Sequence, residues 1–387
     1  MSINTAHQLN QCQTSLTLCE LKYQFVAKTM LGKYIILVFL GIHGAIHLMG
    51  FVKALHPESL TALPTAISIP KGLLWLLTAL VLGLAFILLI LDKENWWVAA
   101  LIGVSISSWL IYDYGETARF GWVANAALMV AIVIGWGHDH YAQVYQWDVK
   151  NGLEQKKAIL PTRQLAELPL PVQKYLRFCG INKEQRPDHV FFTMNGKMQN
   201  GKGSWFDFTS EQYDFFEPYS RSFFMLGKIK GLKVPGYHKW TDGKGSMDVS
   251  LFGLIPILHY EGQMMDQSDA VTLLNDICLM VPSALLDPNF RWENIDSFTT
   301  KIYFPYPGGE VSANLIFDEE GKLINFVSED RYDVGKGKIF RFSTPVTAYT
   351  RINGTNVVKS ADAIWHYPEG DFTYAKFNLI SIQVGYE

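Results

Sequence analysis

His43 and His47 stand four residues apart in an otherwise apolar stretch, so on a helix they share one face. Ionisable groups inside an apolar span mark functional sites by default, and the sharper of two readings makes these imidazoles haem or metal ligands. Two constraints act against that chemistry. A haem takes axial ligands on opposite sides of its ring, which two histidines one turn apart cannot both supply, so His138 or His140 would have to provide the second. A metal needs a third donor, of which Asp113 is a candidate. The alternative is a pair of neutral imidazoles bonded to Ser105, Ser107 or Asn125 across a helical bundle, with Gly41, Gly44 and Gly50 allowing close helix approach. No metal and no cofactor is expected on this reading.

A second set of polar residues lies in the last half of the chain. Glu211 and Gln212 fall in a strand pattern, Asp266 opens a helical one, and Arg331 ends a strand. Trp365, His366, Glu369 and Asp371 cluster in WHYPEGDF. Carboxylates and a guanidinium in apolar surroundings can act as acid, base and anion clamp, or can hold the polar end of a ligand. The structural alternative pairs Arg331 with a carboxylate at a sheet edge and makes PEGD a turn whose Asp bonds its own backbone. No phosphate-binding loop, dinucleotide glycine pattern, zinc-type Cys/His spacing or GxSxG elbow is present, and the HxxxH of the first span lacks the glutamate of a zincin helix. Residues 223–240 (FFMLGKIKGLKVPGYHKW) mix apolar side chains with Lys228, Lys230, Lys233 and Lys239, a pattern suited either to an anionic membrane surface or to a core strand followed by a solvated loop.

The elements that position these residues follow from composition. The 387 residues carry 33 basic and 36 acidic side chains, a net charge of −3, which argues against a nucleic-acid binder. Charged residues are 18% and aromatics 14%, so the chain is neither disordered nor uniformly soluble in character. Charge is sparse before residue 140 and ordinary after it. Gly72 to Leu91 is twenty uncharged residues, long enough for the roughly 30 Å of a bilayer core. Leu31–Phe51, Trp96–Tyr114 and Phe120–Trp136 are three further apolar runs, with Trp96, Trp97, Tyr112, Tyr114, Trp122 and Trp136 at their ends. Residues 1–30 are polar and lack the apolar core of a signal peptide. The expected organisation is a polar segment over 1–30, a four-helix transmembrane domain over 31–140, a helical linker over 141–185 and a soluble, antiparallel β-rich domain over 186–387. Lys22, Lys28, Lys33, Lys93, Lys150, Lys156 and Lys157 on one side, against Lys53, Lys71 and Arg119 on the other, favour cytoplasmic termini in a multi-pass protein of a bacterial inner membrane. Cysteines 179 and 278, taken as free, agree with a reducing compartment.

In the soluble part, Val172, Tyr175, Leu176 and Cys179 repeat at helical spacing and Gly180 ends the helix. From His189 the period becomes two, and Asp242-Gly243, Glu320-Gly321 and Asn353-Gly354 mark hairpin turns. A helix over Asp266–Leu286 interrupts the strands, with Asp266 or Ser268 as its cap and Pro282 kinking its end. The order predicts a membrane α-helical bundle of four spans plus an α+β domain, in which a curved antiparallel sheet or half-barrel packs on a helix.

The segments PLPVQKYLRFCG, FTSEQYDFF, MMDQSDAVTLLNDICLMVPSALLDPNFRWE, FDEEGKLINFVSEDRY and AIWHYPEGDFTYAKF resemble an uncharacterised family of bacterial proteins. GIHGAIHLMGFVKAL, PKGLLWLLTAL and YGETARFGWVANAALMV resemble the four-helix membrane region fused to some of its members. That resemblance implies an architecture and no activity. A more distant similarity, of fold alone, is to the half-barrels of lipoprotein carriers, where a curved sheet wraps helices and an apolar ligand. The leading expectation is a binding protein for a lipid or other apolar molecule beside the bilayer. An enzyme acting on a membrane-borne substrate, and a cofactor- or metal-bearing bundle built on His43 and His47, are the alternatives.

Overall fold

In a computed structural model the chain divides into two compact units, residues 1–139 and 140–387. The structure describes residues 30–59, 66–93, 95–155, 161–181, 183–199, 201–229 and 232–386. The polar segment before residue 30, with Lys22 and Lys28, lies outside the described residues, as do Lys156, Lys157 and Lys230.

The first unit contains α1 (Met30–Leu55), α2 (Ile69–Ile90), α3 (Trp96–Tyr114) and the start of α4 (Gly121–Glu154), whose residues from His140 onward belong to the second unit. All four are long and apolar enough to cross a membrane. Their packing depends on small residues, as expected where lipid removes any hydrophobic gain from helix association. A Cβ on Gly50 would stand 2.2 Å from the Trp75 ring, one on Gly72 2.3 Å from the Ala54 Cβ, and one on Gly103 2.6 Å from Leu82. Leu40, Leu82, Ala85, Ala100 and Val104 fill the seam, while Val38, Leu80 and Ile102 face outward.

The second unit is built on thirteen antiparallel strands: β1 (His189–Gln199), β2 (Trp205–Phe216), β3 (Tyr219–Ile229), β4 (Leu232–Thr241), β5 (Lys244–Leu251), β6 (Ile255–Glu261), β7 (Arg291–Asn294), β8 (Thr299–Tyr306), β9 (Gly309–Phe317), β10 (Leu323–Ser328), β13 (Arg341–Ile352), β14 (Thr355–Tyr367) and β15 (Gly370–Gly385), with β11 (Tyr332–Asp333) and β12 (Lys338–Ile339) forming a separate ribbon. The strand order is β6-β5-β4-β3-β2-β1-β15-β14-β13-β10-β9-β8-β7. The two edge strands, β6 and β7, are not paired with each other, so the sheet is unclosed. Between them in sequence lies helix α6 (Gln263–Met280), which touches β4, β5 and β6 near one edge, β8, β9 and β10 near the other, and β14 between. A helix can reach both ends of so wide a sheet only if the sheet curls round it.

Period two explains the strands. Val190, Phe192 and Met194 of β1, Ile302 and Phe304 of β8, and Val311, Ala313, Leu315 and Phe317 of β9 are all buried on the face that meets the helix. Asp242 and Asn353 adopt φ of 52° and 51°, each followed by a left-handed glycine, the geometry that two-residue hairpins require. Pro235 sits inside β4 without breaking a ladder, because pairing with β5 begins only at Gly236. Segment 223–240 is therefore the β3–β4 hairpin, with Lys228 opposite Lys233. Helix α5 (Leu170–Cys179) buries Val172, Tyr175, Leu176 and Cys179 and ends where Gly180 turns left-handed at φ 81°.

The long helix expected over Asp266–Leu286 is instead α6 followed by a 3₁₀ turn over Pro282–Leu286. Pro282 lacks the N–H that an α-helix would use there, and Val281 leaves helical geometry ahead of it. The start also differs. Gly262 occupies the N-cap, and Asp266, in the first turn, turns its carboxylate to the Gly245 N–H (2.8 Å) and Lys244 Nζ (3.0 Å).

Candidate functional site

Three aspartates of α6, at 266, 269 and 276, fall on one face by helical spacing and tie the helix to β2–β5. Asp266 meets Lys244 and the Gly245 backbone, Asp269 takes a short bond from His238, and Asp276 receives Arg221 Nε at 2.9 Å and Gln212 Nε2 at 2.8 Å. Gln212 also donates to Asp214 Oδ1 (2.7 Å) and accepts from Arg221 Nη2 (3.1 Å). Gln212 and Asp214 are two apart on β2, so they share a face, and both are fully buried. Burial, and then the charge of Asp276, hold the Asp214 carboxyl well above the usual carboxylate range.

Next to this network lies a cavity of about 520 Å³, within the roughly 300–1,000 Å³ of small-molecule pockets. Its wall is mainly apolar and rich in methionine: Met194, Met198, Met225, Met247 and Met280, with Phe206, Phe223, Phe342 and Phe377 among the rings. Helix α6 contributes Thr272, Asn275, Asp276 and Leu279. Strands β1–β6 and β13–β15 supply most of the remainder.

Of the residues singled out in the sequence, Gln212 and Arg331 reach this cavity. Arg331 has no carboxylate partner among the described residues. Its guanidinium lies 4.0 Å from the Phe342 ring centre and 5.1 Å from that of Trp365, and Nη1 donates to the Tyr374 hydroxyl at 3.2 Å. Trp365 thus packs beneath Arg331 without lining the cavity. The other residues are held elsewhere. Glu211 is exposed on β2, Asp266 serves the helix start, and Glu369 pairs with Lys336 at 3.3 Å on the surface. His366 accepts from or donates to Ser343 Oγ (2.8 Å) and meets Asp371 at 2.6 Å across the hairpin, so Asp371 bonds a side chain and not its own turn. Glu211, Asp266, Arg331 and Glu369 therefore do not converge. Cys179 and Cys278 are free and buried, and burial pushes the Cys179 thiol up to about 12, which leaves no thiolate nucleophile there.

Sequence reasoning passed over Arg221, Asp214 and Asp276. The available signal was Gln212 and Asp214 on one face of an aromatic-rich strand, which implies buried polar groups in need of partners.

In the first unit His43 and His47 meet the polar residues of α3 and α4. His43 Nε2 is 2.8 Å from Asn125 Oδ1 and 3.1 Å from Ser107 Oγ, and His47 Nε2 is 2.9 Å from Ser107 Oγ. Ser107 Oγ in turn donates to Asn125 Oδ1 at 3.0 Å, so the two imidazoles, Ser107 and Asn125 form one connected chain of hydrogen bonds. Asp113 pairs with Lys71. Among the described residues no group of three or more His, Cys, Asp or Glu is placed to hold a metal.

A family model described as a family of unknown function (DUF6544) matches residues 158–377. The chain belongs to this family. The match spans α5, α6 and most of the sheet, including every residue of the cavity wall except Leu379. A solved structure of a LolA superfamily protein from Nitrosomonas europaea is similar at 9% identity and a TM-score of 0.25, covering 55% of this chain and 91% of that one. No curated protein matches the chain.

Proposed function

We propose that the second unit binds a lipid or comparable apolar molecule in the cavity beside α6, and that the four apolar helices keep this binding domain at a bilayer. The observation that carries the reading is the wall itself. A space of about 520 Å³ surrounded by five methionines and four phenylalanines is far larger than the gaps that close-packed cores leave. Methionine is flexible and polarizable, so a methionine-rich wall adapts to ligands of somewhat different shape. Reaction chemistry finds less support, since Glu211, Asp266 and Glu369 all lie away from the cavity that Arg331 lines.

The test is native mass spectrometry and lipid extraction on the full-length protein purified in mild detergent, next to an Ala361→Phe variant. Ala361 lines the cavity, and a phenyl ring there occupies it. The expected result is a co-purified apolar species, lost or strongly reduced in the variant. A wild-type protein that carries none, and takes up none when delipidated and offered lipid, overturns the proposal.

A further inference from the structure

We infer that the ligand of this cavity is an amphiphile with an anionic head, and that Arg331 binds the head. The inference rests on the binding reading above and adds a ligand class to it. The charge of the wall comes first. Arg221, Arg331 and Lys359 all line the cavity, whereas Asp276 is its one carboxylate among the described residues. Asp276 is taken by Arg221 at 2.9 Å. Arg331 and Lys359 remain without an acidic partner among the described residues. Lys359 Nζ donates to the Leu379 carbonyl, and Arg331 keeps a buried Nε that meets no acceptor.

The acids nearest Arg331 in sequence are engaged elsewhere. Glu329 lies 3.7 Å from Arg341, Asp330 accepts from both Ser312 N and Ser312 Oγ at 2.7 Å, and Asp333 accepts from the Tyr367 hydroxyl at 2.7 Å. The segment cannot simply swing away, because α6 holds its backbone. Gln267 Nε2 donates to the Asp330 carbonyl at 2.7 Å and Ser268 Oγ to the Tyr332 carbonyl at 3.1 Å. Phe342, Trp365 and Tyr374 give the guanidinium aromatic faces, which attract a cation but do not satisfy its N–H donors. A fixed guanidinium beside an apolar space, short of acceptors, is complementary to a carboxylate or phosphate carried on an apolar tail.

The experiment uses the full-length protein in a detergent-free amphipathic polymer and three radiolabelled probes: palmitic acid, hexadecyl phosphate and hexadecanol. Wild-type protein should bind the acid or the phosphate about ten- to a hundredfold more tightly than the alcohol, the range for hydrogen bonds to a charged group. Whichever of the two is preferred tells a fatty acid from a phosphate ester. Arg331→Gln should bring the anionic probe down to the affinity of the alcohol while leaving the alcohol unchanged, and Arg331→Lys should restore part of the difference. If wild type binds hexadecanol as tightly as both anions, the anionic head is refuted and the apolar cavity stands. If none of the three binds, the cavity reading itself has failed. The wild-type ratio decides the anionic head even if the glutamine variant does not fold, and a folded Arg331→Gln or Arg331→Met protein that keeps the full preference refutes Arg331 as its holder.

Discussion

Replacing Asp276 with Ala would leave the Arg221 guanidinium charged and without its acid inside the second unit. The pair is well buried, with side-chain exposures of 6% for Arg221 and 16% for Asp276, and its N···O distance is 2.9 Å. At an effective dielectric of about 20, two unit charges at that distance attract by about 6 kcal/mol. Most of that attraction is offset by the cost of removing both groups from water, so the intact pair adds little net stability. Removing one partner is different, because the desolvated arginine then stays unpaired. The expected loss is about 3–5 kcal/mol, a large part of the 5–15 kcal/mol that holds a typical domain together. Gln212 loses its Asp276 acceptor at the same time and adds to the cost. Urea titration of the full-length protein in maltoside, followed by near-ultraviolet circular dichroism, measures the change. The double variant Arg221→Met/Asp276→Leu, which removes both charges and keeps the volume, should recover most of the loss. A cost below about 1 kcal/mol for Asp276→Ala, or a double variant no better than the single one, would refute the view that this contact latches α6 to the sheet by a buried charge pair.

Two further perturbations test separate parts of the molecule. Asp214 holds its proton to higher pH in the folded state than in the unfolded chain, which releases it near pH 4, so folding takes up a proton within that window and stability falls as pH rises through it. Asp214→Asn preserves the bond from Gln212 and removes this dependence; its stability relative to wild type should climb from about pH 4 by up to about 1.4 kcal/mol per pH unit, and a difference that stays flat from pH 4 to 8 contradicts an uncharged Asp214. In the first unit, Gly50→Ala places a methyl 2.2 Å from the Trp75 ring, whose centre lies 4.8 Å from that of His47 at a tilt of 46°. The overpacked helix pair should lose about 1–3 kcal/mol in a titration with dodecyl sulfate, and an unchanged midpoint would contradict the close approach of α1 and α2.

Much of the architecture was legible because it is written in local patterns. Twenty uncharged residues from Gly72 admit few other structures, and the Asp-Gly and Asn-Gly pairs at 242 and 353 announce their turns. The helix over 170–179 followed from Val172, Tyr175, Leu176, Cys179 and the glycine after them. What escaped was everything settled between distant segments. Arg221 reads as one basic residue in a strand until α6 brings Asp276 to it from 55 positions away. Gly262 as the cap of α6 was hidden because Asp266 and Ser268, better caps by type, are drawn off to Gly245 and to the Tyr332 carbonyl. The cavity has no sequence signature at all, since a methionine beside a void reads the same as one inside a packed core.

The place of β15 in the strand order governs how the domain can be made. The last strand of the chain pairs with the first strand of the sheet, residue 385 against residue 189, and joins β1–β6 to β7–β14 along their common seam. On a ribosome, β1–β6 can zip up as they emerge, but β1 must wait with one bare edge until β15 has emerged. The seam closes the longest loop in the domain, so it forms late and slowly. A chain stopped before residue 370 would contain two half-sheets with exposed seams and no strand to join them, a species prone to pair with its own copies. Completion of β15 is thus the event that commits this domain to its fold.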